Sequence, residues 1–271
     1  MSIELHALIR TFEGLWPTSQ AEEWDSVGLV SGDVNQKIAR VLLSVDVTAE
    51  LIEEAEDFDL VLSHHPLLLR GINSVAKQTS KGSVLVSAIE SGIALYAAHT
   101  NADAAIGGVS DSLAVAIGLM ASEPLVKTSV AGIGSGRIGT LPQAQTLLSL
   151  AQRLGTVLPS TAGGIKVAGN HNSTVSRVAL CGGAGDSFIE AAYEQGADVF
   201  ITSDLRHHPV QEALEKAAAE GREISFIDVS HWAGEWVWLN NARDALKLLH
   251  PDVHFEVSDL RTDPWDFVVT Q

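Results

Sequence analysis

The chain has 271 residues, 46% of them hydrophobic, and carries 34 acidic against 17 basic side chains, for a formal net charge of -17. That length fits one large domain or two of ordinary size, with enough apolar side chains for a substantial core. So acidic a surface repels nucleic-acid backbones and anionic membranes, whose binding relies on Lys and Arg replacing counterions, and it draws divalent cations; neither nucleic acid nor membrane is expected as a partner.

Cys181 is the sole cysteine. No internal disulfide can form, so nothing points to an oxidising compartment. Its setting, VALCGG, reads as the end of a buried strand, where a thiol is inert packing. The N-terminal MSIELHALIRTFEGLWP carries early charges in place of the apolar segment of a signal peptide, and no apolar run approaches membrane-spanning length. The expected location is the cytoplasm.

In chain order, Leu5, Leu8, Ile9 and Phe12 share one face of an opening helix. The turn-rich WDSVGLVSGD (24–33) precedes a strand at 41–45. Thr48 caps the next helix, ELIEEAED, whose early glutamates suit the positive end of its dipole. Residues 60–63 read as a short buried strand, 82–91 as a helix, and IALYAA (93–98) as a strand buried on both faces. A helix over 111–119 closes the first half. In the second half, GIGSGRIG (132–139) makes a tight turn and Pro142 opens a helix, a position where its missing N–H costs nothing. Strand, helix and strand recur over 178–202, with Ser187 and Glu190 as a capping box. A helix at 209–220, a strand at 224–229 and a last helix from about 233 to 249 follow.

The run Gly134 to Gly139 matches G-x-G-x-x-G, the turn that cradles dinucleotide phosphates. Between Pro124 and Gly185, however, there is no Asp or Glu to hold a ribose hydroxyl. The glycines are therefore read as a turn and not as an NAD site.

The pattern occurs twice. Residues 41–66 and 178–209 both run strand, helix, strand, His-His-Pro, the second with extra residues before the histidines. Each copy is followed by an apolar run and a His-x-x-x-carboxylate, His99 to Asp103 and His231 to Glu235. The repeat predicts an α/β fold of two similar lobes, residues 1–123 and 124–271, with parallel or mixed sheets.

Each histidine feature has a plainer reading on its own. Adjacent side chains on a strand face opposite ways, so His64 and His65 meet only if the strand has ended, as Pro66 suggests; alone they read as a hydrogen-bonded pair at a loop. His231 and Glu235 share a helix face at i, i+4, which by itself is no more than a first-turn ion pair. His99 and Asp103 fall where a loop is expected. Taken together, all stand where an apolar run gives way to loop or helix, the usual place of sites in α/β sheets. Imidazole nitrogen and carboxylate oxygen are what divalent transition metals bind. Trp232, Trp236 and Trp238 are expected to pack in the core or an oligomer contact.

The ordered motifs WDSVGL (24–29), LSHHPLL (62–68), AAHTNAD (97–103), GIGSGRIG, GGAGDSFIEAA (182–192), GADVFITSDLRHH (196–208), SHWAGE (230–235) and TDPWDF (262–267) span nearly the whole chain. In these the chain resembles the GTP cyclohydrolase I type 2 homologues, also called Ngg-one-interacting-factor-three-like proteins. The resemblance implies a hexamer and a dinuclear metal centre between the lobes. It also implies two divalent ions per chain (Zn, Mn, Fe or Ni) on His64, His65, Asp103, His231 and Glu235. Ser203 and Ser230 stand where the family usually has Gly, which removes no ligand but narrows the pocket. The domain that longer members insert between the halves is missing.

The function expected on this basis is metal-dependent hydrolysis of a small molecule, GTP ring opening or cleavage of a nucleotide or phosphoester. Glu235 would be the bridging ligand, and His99, His207 or His208 a proton donor or a partner behind the ligands. The competing expectation is a non-catalytic metal-binding or regulatory scaffold whose ring-shaped oligomer recruits a partner protein.

Overall fold

The computed structural model describes residues 2–270. By contacts the chain forms two compact units, Met1–Ala105 with Leu239–Thr262 and Ile106–Trp238 with Asp263–Gln271. The α/β class with mixed sheets is as expected. The partition differs from a cut after residue 123. Strand Met120–Glu123 pairs with Arg137–Thr146 and so belongs with the second unit, together with helix Val109–Ala116. Helix His231–Leu249 passes from the second unit into the first at Leu239.

The first unit is built on a five-stranded sheet in the order His254–Val257, Arg40–Ser44, Leu60–Ser63, Ala94–Ala97, Gly28–Ser31. The first four run parallel, and Gly28–Ser31 is an antiparallel edge. Leu60–Ser63 and Ala94–Ala97 are buried at every position, as apolar runs covered on both faces must be. Leu42, Val61 and Leu95 pack with Leu51, Ile52, Val84 and Leu85 of the covering helices. The opening helix, Leu5–Leu15, buries Leu5, Leu8 and Phe12. Thr48 caps helix Ala49–Glu54 by accepting from the Leu51 amide at 3.1 Å, as its side chain predicts.

The second unit carries a six-stranded sheet in the order Lys166–Ala168, Ser225–Val229, Val199–Ser203, Thr174–Ala184, Arg137–Thr146, Met120–Glu123. Thr174–Ala184, Val199–Ser203 and Ser225–Val229 are parallel neighbours, and the other pairings are antiparallel. Cys181, Phe200 and Phe226 lie in its core with Ile138, Ile189 and Tyr193. Both units therefore repeat one motif, three parallel strands with a helix after the first.

Three local expectations change. Pro142 opens no helix; it lies inside strand Arg137–Thr146, and the helix begins at Leu147 behind the cap Thr146. The ladder to Thr174–Ala184 is interrupted between Thr140 and Gln145, so proline deprives no partner of an N–H there. Ser187 and Glu190 form no capping box. A 3-10 turn, Asp186–Phe188, precedes helix Ile189–Glu194, and Glu190 pairs with Lys216. The second His-His-Pro starts helix His207–Ala219, two residues before the expected beginning. Trp232 and Trp238 are buried and Trp236 half-buried, as packing of that cluster in the core requires.

Candidate metal centre

Both units place their chemistry at the carboxyl ends of the parallel strands. In the first, strand Leu60–Ser63 ends one residue before His64. The chain then stays beside its neighbour, because the His64 and His65 amides donate to the Ser44 and Val45 carbonyls at 3.0 and 2.8 Å. With regular alternation over, the two imidazoles turn toward each other, ring centroids 5.0 Å apart. His99 follows strand Ala94–Ala97 and lies 5.1 Å from His64 and 5.4 Å from His65, both edge-on. One ring nitrogen from each of His64, His65 and His99 falls within 4.8 Å of the others. His99 stands at the N-terminus of the short helix Thr100–Ala104, which sets Asp103 one turn on; Asp103 Oδ1 is 3.7 Å from His64 Nε2.

All three rings are held by Nδ1. His64 Nδ1 donates to the Ala98 carbonyl at 2.9 Å, His65 Nδ1 to Asp46 Oδ1 at 2.8 Å, and His99 Nδ1 to Asp25 Oδ1 at 2.8 Å. Because those oxygens only accept, each neutral ring keeps its lone pair on Nε2, the tautomer that ligates a metal. Asp25 has a fully buried side chain that also accepts from the Ser26 and Thr100 amides and the Thr100 hydroxyl. Burial opposes its charge, but the hydrogen bonds from His99 and Thr100 outweigh that and hold its pKa well below the usual carboxylate range. Trp24 meets the His99 ring edge-on at 5.9 Å while staying 61% exposed.

In the second unit the same end of the sheet carries His231 and Glu235. Strand Ser225–Val229 delivers the chain to Ser230, whose hydroxyl accepts from the Ala233 amide at 3.3 Å and so caps helix His231–Leu249. His231 Nδ1 donates to Asp204 Oδ2 at 2.7 Å. Asp204 follows strand Val199–Ser203 with a left-handed φ of 55°. The His231 hydrogen bond lowers the Asp204 pKa, and burial pushes the other way. On its other side, His231 Nε2 approaches Glu235 Oε1 to 3.0 Å, and Glu235 is only 2% exposed. With the proton on Nδ1, a lone pair would face a buried carboxylate oxygen; a second proton or a cation has to lie with both. Gly183 makes the space. At φ 68° it lies where any Cβ would come within 2.6 Å of Glu235 Oε1 and 3.5 Å of His231 Nε2.

His207 and His208 are exposed in the first turn of their helix, edge-on to each other with centroids 5.1 Å apart. Among the described residues neither joins a grouping of three side chains able to hold a metal. Ser203, at one of the positions where the resembling family usually has Gly, is buried with a hydroxyl that has no hydrogen-bond partner among the described residues. The orienting carboxylates Asp25, Asp46 and Asp204 carry no role in the sequence reading. The available signal was an acid just beyond a strand's end, as in SVD (44–46) and TSD (202–204).

The family model for Duf34/NIF3 (NGG1p interacting factor 3) matches residues 3–264. A "GTP cyclohydrolase 1 type 2 homolog" of Streptomyces coelicolor is 43% identical over 270 residues, covering 96% of this chain and 93% of the relative. One from Clostridium perfringens is 32% identical over 272 residues, covering 98% and 100%. The Mycobacterium leprae homologue, 30% identical, aligns over 374 positions, so it carries a long segment this chain lacks. Among solved structures, a Staphylococcus aureus protein superposes with a TM-score of 0.88 at 26% identity, covering 99% of this chain and all of its own. A Bacillus cereus protein related to NIF3 has the same fold, with a TM-score of 0.89 at 24% identity over 98% of this chain and 99% of its own. With a family model over almost its full length and relatives above 30% identity end to end, this chain belongs to the DUF34/NIF3 family.

Proposed function

We propose that the two ligand sets together hold a dinuclear divalent-metal centre and that the protein is a metal-dependent hydrolase. The observation that carries the metal reading is the common fixing of the histidines. His64, His65, His99 and His231 are each held at Nδ1 by a carbonyl or carboxylate, the arrangement that orients metal-binding imidazole. His231 and Glu235 alone offer two side chains, fewer than the three protein ligands a catalytic zinc takes, so the second set is incomplete by itself. His64, His65 and Asp103 would hold the ions from the first set, His231 and Glu235 from the second, with the buried Glu235 carboxylate offsetting the charge of both. Bound there, two ions supply a water acidic enough to attack at neutral pH and neutralise charge on the attacked group. His99, backed by Asp25 and edged by exposed Trp24, is the residue placed to move a proton. A nucleotide or phosphoester fits this chemistry, with GTP ring opening among the candidate reactions; the names of the relatives support it. We also propose a homo-oligomer, a hexamer by resemblance; Phe267, Val268 and Val269, all largely exposed, supply apolar contact surface for one.

The test is elemental analysis after incubation with Zn, Mn, Fe and Ni in turn, then turnover on a panel of nucleotides and phosphoesters with the metal retained. Two ions per chain and hydrolysis are expected. One ion or none defeats the dinuclear reading. Two ions without turnover would shift the function to a non-catalytic metal-binding scaffold. Light scattering that shows a monomer at micromolar concentration rejects the oligomer.

A further inference from the structure

We infer that Thr262 and Asp263, consecutive residues of the C-terminal TDPWDF segment, are positioning residues for the two ligand sets. The inference rests on the metal-centre reading above and assigns that segment a task. In the first unit, the Thr262 hydroxyl donates to Asp46 Oδ2, and Asp46 Oδ1 accepts from His65 Nδ1 at 2.8 Å. The carboxylate behind His65 is thus gripped at both oxygens. In the second unit, Asp263 Oδ1 accepts from the Ser230 hydroxyl at 2.6 Å, and Oδ2 from the Trp265 amide at 3.3 Å. Ser230 is the residue that caps the helix bearing His231 and Glu235. One peptide link therefore joins the anchor of one ligand set to the anchor of the other.

Burial of apolar surface does not account for the course of this segment. It has no regular secondary structure, and Trp265 and Phe267 are 68% and 79% exposed. Its inward groups are the polar ones: Asp263 is 8% exposed. A buried carboxylate is costly unless hydrogen-bonded, and here its Oδ1 partner is the cap of the ligand-bearing helix. A partner behind a ligating histidine fixes the ring's tautomer and orientation and raises its basicity. A hydroxyl that fixes that partner extends the same control by one bond.

The experiment uses the full chain and competes a chelator against bound Co(II), whose visible absorption reports ligand geometry. Thr262→Val keeps shape and removes the hydroxyl; it should weaken metal binding roughly 10- to 100-fold, the usual effect of losing an outer partner, and shift the Co(II) spectrum. Thr262→Ser should restore both. Asp263→Asn should weaken binding as well, while the exposed neighbour Asp259→Asn should not. Melting of the metal-free variants separates positioning from folding. If affinity falls only in step with metal-free stability and the spectrum is unmoved, the residues are structural and the inference is wrong. If wild type binds two ions and His65→Ala loses one, yet Thr262→Val and Asp263→Asn bind like wild type, the inference fails and the metal reading survives. Wild type binding no ion ends both.

Discussion

The two His-His-Pro sequences follow the middle member of three parallel strands, one in each unit, and they come to different ends. In the first unit the histidines come one residue after the strand and turn in on His99. In the second, the three residues Asp204, Leu205 and Arg206 carry the chain past the strand end, and His207 and His208 open an exposed helix. The work of the first pair passes there to other groups. Asp204 turns back to hold His231, and the helix after the next strand supplies His231 and Glu235. A second substitution runs alongside. Counted from Val41 and Val178, Asp46 and Gly183 occupy the same place in the two copies. Asp46 presents a carboxylate to His65, whereas Gly183 presents nothing and leaves room for Glu235. A duplicated sequence pattern thus keeps its scaffold while the distance from strand end to side chain decides which residues reach the site.

The largest effect that sharpens this comparison is on metal content. If the proposed centre is right, His64→Ala or His65→Ala should abolish binding of at least one ion, and Glu235→Gln should lose one by removing a buried negative charge that would offset the ions. His207→Ala and His208→Ala should leave metal content at the wild-type level. Elemental analysis of the five proteins reads this directly, and metal loss from either second-copy variant would restore equivalence to the two copies.

Next in size is Gly183→Ala. A left-handed φ costs a non-glycine residue roughly 1–2 kcal/mol, and the added methyl also displaces Glu235 Oε1. Denaturant unfolding should show at least that loss in the metal-free protein, with weaker metal binding on top. Full retention of both would mean the space beside Glu235 is not needed.

Asp25→Asn comes third. Three donors besides His99 point at that carboxylate, and removing its charge should destabilise by about 1–3 kcal/mol, as for hydrogen bonds to a buried charged group. Thermal melting of the metal-free chain measures it. The smallest contrast is in the caps. Thr48→Ala should cost about 1 kcal/mol, while Ser187→Ala, at the corresponding helix of the other copy, should stay within about 0.5 kcal/mol because no cap bond exists to lose. Equal losses would show that the second helix uses its serine after all.

How far this was legible follows the range of the interactions. The buried strands 60–63 and 94–97, the Thr48 cap and the face of helix Leu5–Leu15 rest on local pattern, and each was found within a residue or two. Pro142 misled because its effect depends on a ladder interruption set by a strand some thirty positions on. The course of the last helix into the first unit rests on contacts far apart in sequence. At the site, the histidines and their carboxylates were visible as repeated spacings. Asp25 and Asp46 were not, because they lie 74 and 19 residues from the rings they hold. Only the assembled strand ends bring them together.

Cys181 sits in the middle of this arrangement, 5% exposed in the strand that leads to Gly182 and Gly183. As the sole thiol of the chain, it makes covalent labelling a clock. A reagent that reacts only with accessible sulfur can modify the native protein no faster than the central strand of the second sheet opens. The labelling rate, taken with and without added metal, therefore measures how often the floor beneath Glu235 comes apart, one residue at a time and with no competing signal.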